Sequence, residues 1–292
     1  MFSKHISLIL STLLGLALLT VLVLSFTVFG ELKEQRLQTA SLLTAVNQRV
    51  GVLSAAAADF LKNTSQDMLF LQSLLAEEGS GAAWSEAGLK KFMEKNADYE
   101  EFYIFNQAGE CLFEVRQGPF VSESSCGKLE AQITKALGAA DQLRVGELFV
   151  SPLLFYKNTP SLIYAMVLAD GRKVIAIVSA NPFLEEVRRL SREDEAVFLV
   201  DEEGAYLAHE NRLKEKFSGG ADNFYLDFQE VPKSVLRDND ISSFDGEQRI
   251  FSFWRIQPVE SDFALYQGMR RAEVLGWENG QWILVAVSIK RE

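Results

Sequence analysis

Glu101-Phe-Tyr-Ile-Phe-Asn-Gln-Ala-Gly109-Glu-Cys-Leu112 and Ala196-Val-Phe-Leu-Val-Asp-Glu-Glu-Gly204-Ala-Tyr-Leu207 align without gaps. Each opens with a run rich in aromatic and β-branched residues, the composition of a strand. An Asn or Asp then starts a four-residue turn. Asn106 and Asp201 have side chains able to bond their own backbone there, and Gly109 and Gly204 supply the positive φ that closes it. A second strand follows in each. One such hairpin is common by chance, but two, at the same place relative to the strands that follow, indicate a duplicated module.

Downstream of the first copy, a Gly/Pro/Ser-rich loop from Gly118 to Gly127 precedes a short helix and two strands, Ser161–Leu168 and Lys173–Ser179. The turn Ala169-Asp170-Gly171-Arg172 joins those strands. A helix from Asn181 to about Leu190 leads into the second copy. That copy continues with a polar loop at Gly219-Gly220, a helical piece near Lys233–Arg237, a strand near Arg249–Ile256 and a last strand, Gln281–Ile289. Helices leading twice into antiparallel hairpins define the α+β class, with the two modules divided near Leu190–Glu195.

Upstream lies a helical stretch, Glu31 to Glu78, with no proline and one internal glycine, ended by Gly79-Ser80-Gly81. Its apolar positions Leu43, Val46, Val50, Leu53, Ala57 and Phe60 alternate steps of three and four, a heptad seam. Such a seam packs either against a twin helix in a homodimer or against its own domain. Before it, Ile6 to Phe29 contains no charged residue. As a helix this segment spans about 36 Å, enough for a hydrocarbon core of about 30 Å. A cleaved signal peptide would have a shorter apolar core and a small-x-small site; Ser25-Phe26-Thr27 and Val28-Phe29 match poorly, which favours a retained membrane anchor. Lys4 on one side and Lys33 and Arg36 on the other leave its orientation undecided by charge.

The chain has 292 residues and a formal net charge of −11. That balance, with no basic stripe, disfavours a nucleic-acid partner. Two cysteines and two histidines are too few for a structural Cys/His metal site, and there is no C-x-x-C-H for haem, so neither metal nor cofactor is implied. Cys111 and Cys126 are either a disulfide, worth about 3 kcal/mol in an oxidising compartment, or two unrelated thiols. No catalytic residue can be named: G-x-S-x-G, H-E-x-x-H and phosphate-cradling glycine loops are all missing from the sequence. His209, at a strand end, reads as structural. The acidic loop of Asp238, Asp240, Asp245 and Glu247 lacks EF-hand spacing.

The order of anchor, long helix, strand-turn-strand, two closing strands, linking helix and a second, smaller unit resembles the double Cache (tandem PAS-like) sensors. These belong to bacterial transmembrane histidine kinases, chemoreceptors and diguanylate cyclases. The likeness is carried by Tyr99 through Arg116, Val150-Ser151-Pro152-Leu153, Pro160 through Ala165, Val197 through His209 and Trp282-Ile-Leu-Val285. It implies a single-pass protein of the bacterial inner membrane, anchored through residues 6–29, with its soluble region extracytoplasmic. Residues 1–30 would form the transmembrane helix, 31–80 the stalk and dimer seam, 81–190 the membrane-distal Cache module and 191–292 the membrane-proximal one. A second membrane helix and an output module would follow Glu292 in such receptors, and neither is present in this chain.

The resemblance places a small-molecule ligand in the distal module. Tyr156, in the loop before Pro160, is best placed to touch it, with Tyr164, Tyr103 and Arg116 as further polar groups and the arginine favouring an anion. By strand alternation, Tyr103 shares a face with Phe105, and Tyr164 with Leu162 and Met166. Glu114 and Arg116 are either a solvated pair or anchors in that pocket. Amino-acid-binding members of the family carry Arg-x-Trp-Tyr and a later Asp. Leu153-Leu154-Phe155-Tyr156 and Ser179-Ala180-Asn181 stand at those places, which puts an α-amino ligand in doubt. The function expected is a non-enzymatic, ligand-sensing receptor region. The alternative is a membrane-tethered scaffold whose modules are filled by their own side chains.

Overall fold

The long helix and the apolar segment before it are one element: α1 runs unbroken from Phe2 to Glu77, about 114 Å. A computed structural model describes residues 2–77, 83–117, 126, 129–192, 195–216, 222–238, 240–256, 274–275 and 282–290. Among the described residues no helix is long and apolar enough to cross a membrane. Most side chains of the expected anchor, residues 6–29, lie outside the described residues, as do Gly79-Ser80-Gly81.

After α2 (Ala83–Lys95), two antiparallel sheets follow. The first contains β1 (Tyr99–Phe105), β2 (Cys111–Arg116), β3 (Leu148–Val150), β4 (Leu154–Tyr156), β5 (Thr159–Val167) and β6 (Lys173–Ser179), with α3 (Ala131–Ala140) between β2 and β3. Its order is β2-β1-β6-β5-β3, and β4 also pairs with β5. Helix α4 (Asn181–Arg188) then leads to the second sheet: β7 (Glu195–Val200), β8 (Tyr206–Ala208), β9 (Ser243–Asp245), β10 (Arg249–Ile256) and β12 (Trp282–Ile289). Its order is β8-β7-β12-β10-β9. In both sheets the hairpin lies beside a late strand, which lies beside the strand before it, so the duplication extends to topology.

The two turns also match bond for bond. Gly109 N–H donates to the Asn106 carbonyl at 3.0 Å and Gly204 N–H to that of Asp201 at 2.9 Å. Glu110 N–H donates to Asn106 Oδ1 and Ala205 N–H to Asp201 Oδ1, each at 2.9 Å. Gly109 and Gly204 have φ of 84° and 81°. At Gly204 an added Cβ would also lie 2.8 Å from both Asn223 Oδ1 and the Tyr225 ring.

Both sheets bury one face on α1. Val46, Val50, Leu53, Ala57, Leu61, Met68, Leu71 and Leu75 form a single buried cluster with Leu162, Tyr164 and Met166 of β5, Val197 and Leu199 of β7, and Trp282, Leu284 and Ala286 of β12. Each large apolar side chain so buried contributes about 1.5–3 kcal/mol. The seam is therefore intramolecular. Val46, Val50 and Leu53, the positions expected to hold a twin helix, are covered by the chain's own sheets, and Leu43 is half-buried beside them. Two polar links reinforce this packing: Arg49 on α1 pairs with Glu195 on β7, and Gln72 Nε2 donates to the Val167 carbonyl at 2.6 Å.

Three further expectations are corrected. Lys233–Arg237 makes consecutive turns instead of a helix, because the Arg255 guanidinium gathers the carbonyls of Val235, Asp238 and Ile241 and holds the segment open. The helical turn in this region is α5 (Phe224–Asp227), capped by the Asn223 side chain. The short strands β4 and β9 lie where loops were expected, and β3 where no element was assigned. Finally, β11 (Val274–Leu275), within the stretch assigned to the second module, pairs in parallel with Leu148–Phe149 at the edge of the first sheet.

Gly51, the glycine inside the stalk, is explained by Trp254 of β10: an added Cβ would lie 3.2 Å from its ring. Gly51→Leu should destabilise the chain by about 1–3 kcal/mol in urea unfolding through overpacking, although leucine is the better helix former. In a Trp254→Ala background the same substitution should be neutral or stabilising. Equal destabilisation in both backgrounds would contradict the close-approach explanation.

Candidate functional site

The face of the first sheet turned away from α1 carries Tyr103, Phe105, Ile163, Ala165, Ile175 and Ile177, covered by Ile133, Ala136 and Ala140 of α3. Within this apolar setting β1 places a carboxylate. Glu101 stands two residues before Tyr103, so strand alternation points both side chains to the same side, and Glu101 is 7% exposed. Buried charge requires partners. Tyr103 and Tyr156 donate their hydroxyls to Glu101 Oε2 at 2.7 and 2.8 Å, and the two hydroxyl oxygens lie 3.0 Å apart. Lys157 Nζ donates to Oε1 at 2.6 Å and to Oε2 at 2.9 Å. Arg116, directly across the β1–β2 ladder, approaches Oε1 at 3.6 Å while pairing with Glu114. Burial first, then the adjacent Tyr156 hydroxyl and the Glu101 carboxylate, push the Tyr103 hydroxyl far above its ordinary pKa. Burial and the same carboxylate raise Tyr156 as well, so both phenols remain protonated donors.

Lys157 owes its position to a strained turn. Lys157 and Asn158 join β4 to β5 with φ of 44° and 70°, the left-handed pair of a type I′ hairpin. Asparagine accepts that conformation readily, whereas lysine does so at a cost of about 1–2 kcal/mol. The ammonium thereby reaches Glu101 and also lies 5.0 Å from the centre of the Tyr156 ring.

Of the residues expected to line a pocket, Tyr156, Tyr103 and Arg116 converge here. Tyr164 does not. It lies on the opposite face of β5, fully buried in the cluster shared with α1, beside Thr64 and Ser65. Arg116 is not a vacant anion anchor, because Glu114 and Glu101 already take its charge. Glu101 and Lys157 were missed. Glu101 was detectable, since the alternation that groups Tyr103 with Phe105 includes it. Lys157 carries no such signal, because only its turn geometry aims it at the site. A carboxylate thus reaches this face from β1, although Ser179-Ala180-Asn181 supplies none. At the hairpin's far end, Cys111 and Cys126 are bonded as a disulfide with Cα atoms 5.9 Å apart.

The equivalent face of the second sheet is filled. Phe198, Tyr206, Phe224, Phe251 and Phe253 are buried in one cluster with Phe228 packed against it. Tyr206 donates its hydroxyl to Asp227 at 2.8 Å, and Lys214 pairs with the same carboxylate at 2.7 Å. His209 stacks on Phe198 with centroids 4.7 Å apart, and its Nδ1 accepts from Asn211 N–H at 2.8 Å.

The fold is shared with solved extracellular, sensory and ligand-binding domains of bacterial receptors. The sensory domain of the Campylobacter jejuni chemoreceptor Tlp3 superposes with a TM-score of 0.61 at 11% identity, over 87% of this chain and 96% of that one. A domain of a sensory box/GGDEF family protein from Vibrio parahaemolyticus gives 0.56 at 10% identity, over 85% and 96%. The ligand-binding domain of the Pseudomonas aeruginosa amino acid chemoreceptor PctC, solved with GABA, gives 0.53 at 15% identity, over 82% and 95%. These likenesses are of fold. No protein-family model matches the sequence, and no curated protein matches it either.

Burial first, and the nearby Lys214 ammonium second, hold the His209 imidazole below its ordinary pKa of 6.5. The unfolded chain therefore takes up a proton as pH falls through 6.5 while the folded chain does not, and stability drops. Melting temperatures of wild type and His209→Gln measured from pH 7.5 to 5.5 should show the wild type losing more. Parallel curves would mean that the imidazole is not held neutral.

Proposed function

We propose that this chain is the extracytoplasmic ligand-sensing region of a bacterial membrane receptor, anchored through residues 6–29, with its ligand site in the distal module. The observation that carries this reading is the polar cluster of Glu101, Tyr103, Tyr156, Lys157 and Arg116, set in an apolar face of the first sheet. A mostly apolar surface with a few convergent polar groups is the usual construction of a small-molecule site. The second sheet has aromatic rings in the equivalent space, so its role is to relay a signal. The fold neighbours support the assignment: ligand-binding domains of Tlp3 have been solved with L-valine and L-norvaline, and that of PctC with GABA. A sensor of this kind works by preferring one of two arrangements when loaded, with typical coupling of about 1–3 kcal/mol. The anchor fits the apolar, charge-free run Ile6–Phe29.

A thermal-shift screen of the full chain against amines, organic acids and sugars tests the site. A stabilising compound should lose most of its effect in Tyr156→Ala and keep it in Tyr225→Ala of the second module. It should also keep it in Tyr164→Phe, whose side chain faces α1. If every compound is inert, or if Tyr156→Ala leaves all hits unchanged, the distal site is wrong and the scaffold alternative takes its place.

A further inference from the structure

The group covering Glu101 on its solvent side belongs to the chain itself. The side chains of Glu101 and Lys157 are 9% and 37% exposed, so the ammonium is the accessible member of the pair and the carboxylate the enclosed one. Tyr103 and Tyr156, which fix the carboxylate from the other side, are 4% and 1% exposed. The position held by Lys157 Nζ has the two features that recognise an alkylammonium: both oxygens of an oriented carboxylate within hydrogen-bond distance, and an aromatic face at 5.0 Å. The backbone at Lys157 is left-handed, with φ of 44°, in a residue type that rarely adopts it, and strain of this kind collects at functional sites. A surface lysine in a hairpin tip needs no such arrangement to remain solvated.

We infer that Lys157 is a tethered stand-in for the ligand's ammonium: the distal site takes a small molecule with a primary amine, which displaces Nζ from Glu101 and the Tyr156 ring. This inference rests on the distal-site reading above and names its ligand class. Because the competing ammonium is part of the chain, it acts at the high effective concentration of a tethered group. The native site therefore answers only to ligands with further contacts, and a bare alkylamine is excluded. Release of Lys157 frees the β4–β5 turn, so ligand entry and relaxation of a strained hairpin are one event.

The test is chemical rescue in the full chain. Lys157→Ala removes the three carbons and nitrogen that n-propylammonium restores. The variant should melt below wild type, and millimolar n-propylammonium chloride should raise its melting temperature saturably, by about 5 °C. Wild type should need at least tenfold more of the salt for the same shift. n-Propanol and sodium chloride should not substitute, and Lys157→Ala with Glu101→Gln should not respond. If Lys157→Ala fails to fold alone, Lys157→Gly, which leaves the same space and accepts the left-handed backbone, should show the same ranking. An unresponsive variant, a response matched by n-propanol, or one that survives Glu101→Gln overturns the inference. Sodium propionate stabilising wild type in a Tyr156-dependent way, without any ammonium response, would overturn the amine class and leave the sensing site standing. Ammonium rescue with no hit in the wider screen would support the amine class while counting against sensing.

Discussion

Everything in this molecule depends on one helix having a single apolar stripe long enough for two sheets. The stripe from Val46 to Leu75 is buried first against the second sheet and then against the first. Neither sheet could bury that face alone, since each has already covered its other face with local elements: α3 in one case, α5 and the loops around it in the other. The helix therefore fixes the spacing of the modules and also their relative rotation, because side chains four and three residues apart lie on one side of it. The duplicated hairpins provide two similar units, and the spine makes them one body.

The link between the modules is specific as well as hydrophobic. Only Ala180 separates β6 from helix α4, whose Phe183 stacks between Phe60 of the spine, at 6.1 Å, and Trp282 of the second sheet, at 5.8 Å. Its Arg188 makes a bidentate pair with Glu215, at 2.6 and 2.8 Å, both side chains being almost fully buried. Such a pair adds little net stability over an apolar contact, but breaking it leaves an unpaired charge in the interior. It therefore constrains geometry more than it stabilises. Through α4, the strands β5 and β6 that border the Glu101 cluster are tied to β7, β8 and Trp282 of the second sheet.

The repeated hairpins, the α+β class and the long helix were legible because hairpins with Asn/Asp and Gly at fixed offsets have few alternatives. The site was half legible. Alternation groups residues along one strand but does not say which face meets the core, and β5 is buried on both sides, so neither face is marked by exposed polar residues. Tyr164 was misplaced for that reason. The heptad pattern in α1 likewise reports that a stripe is buried, while leaving open what buries it. Strands of two or three residues, such as β3, β9 and β11, are too short for any periodicity to register. Lys157 became visible only when the φ of its turn was known.

The strand that completes the second sheet, β12, is also its centre, with β7 on one side and β10 on the other. During synthesis the first sheet has its hairpin and central strands once Ser179 has emerged. The second waits for residues up to Ile289, and until then the part of the spine from Val46 to Ala57 lacks the cover of Trp282, Leu284 and Ala286. Closing that gap joins residues more than two hundred positions apart, the kind of distant contact that slows folding and leaves apolar surface open to wrong partners. A nascent chain of this protein is thus a half-finished clasp, and its vulnerable interval is set by the position of one strand in the gene.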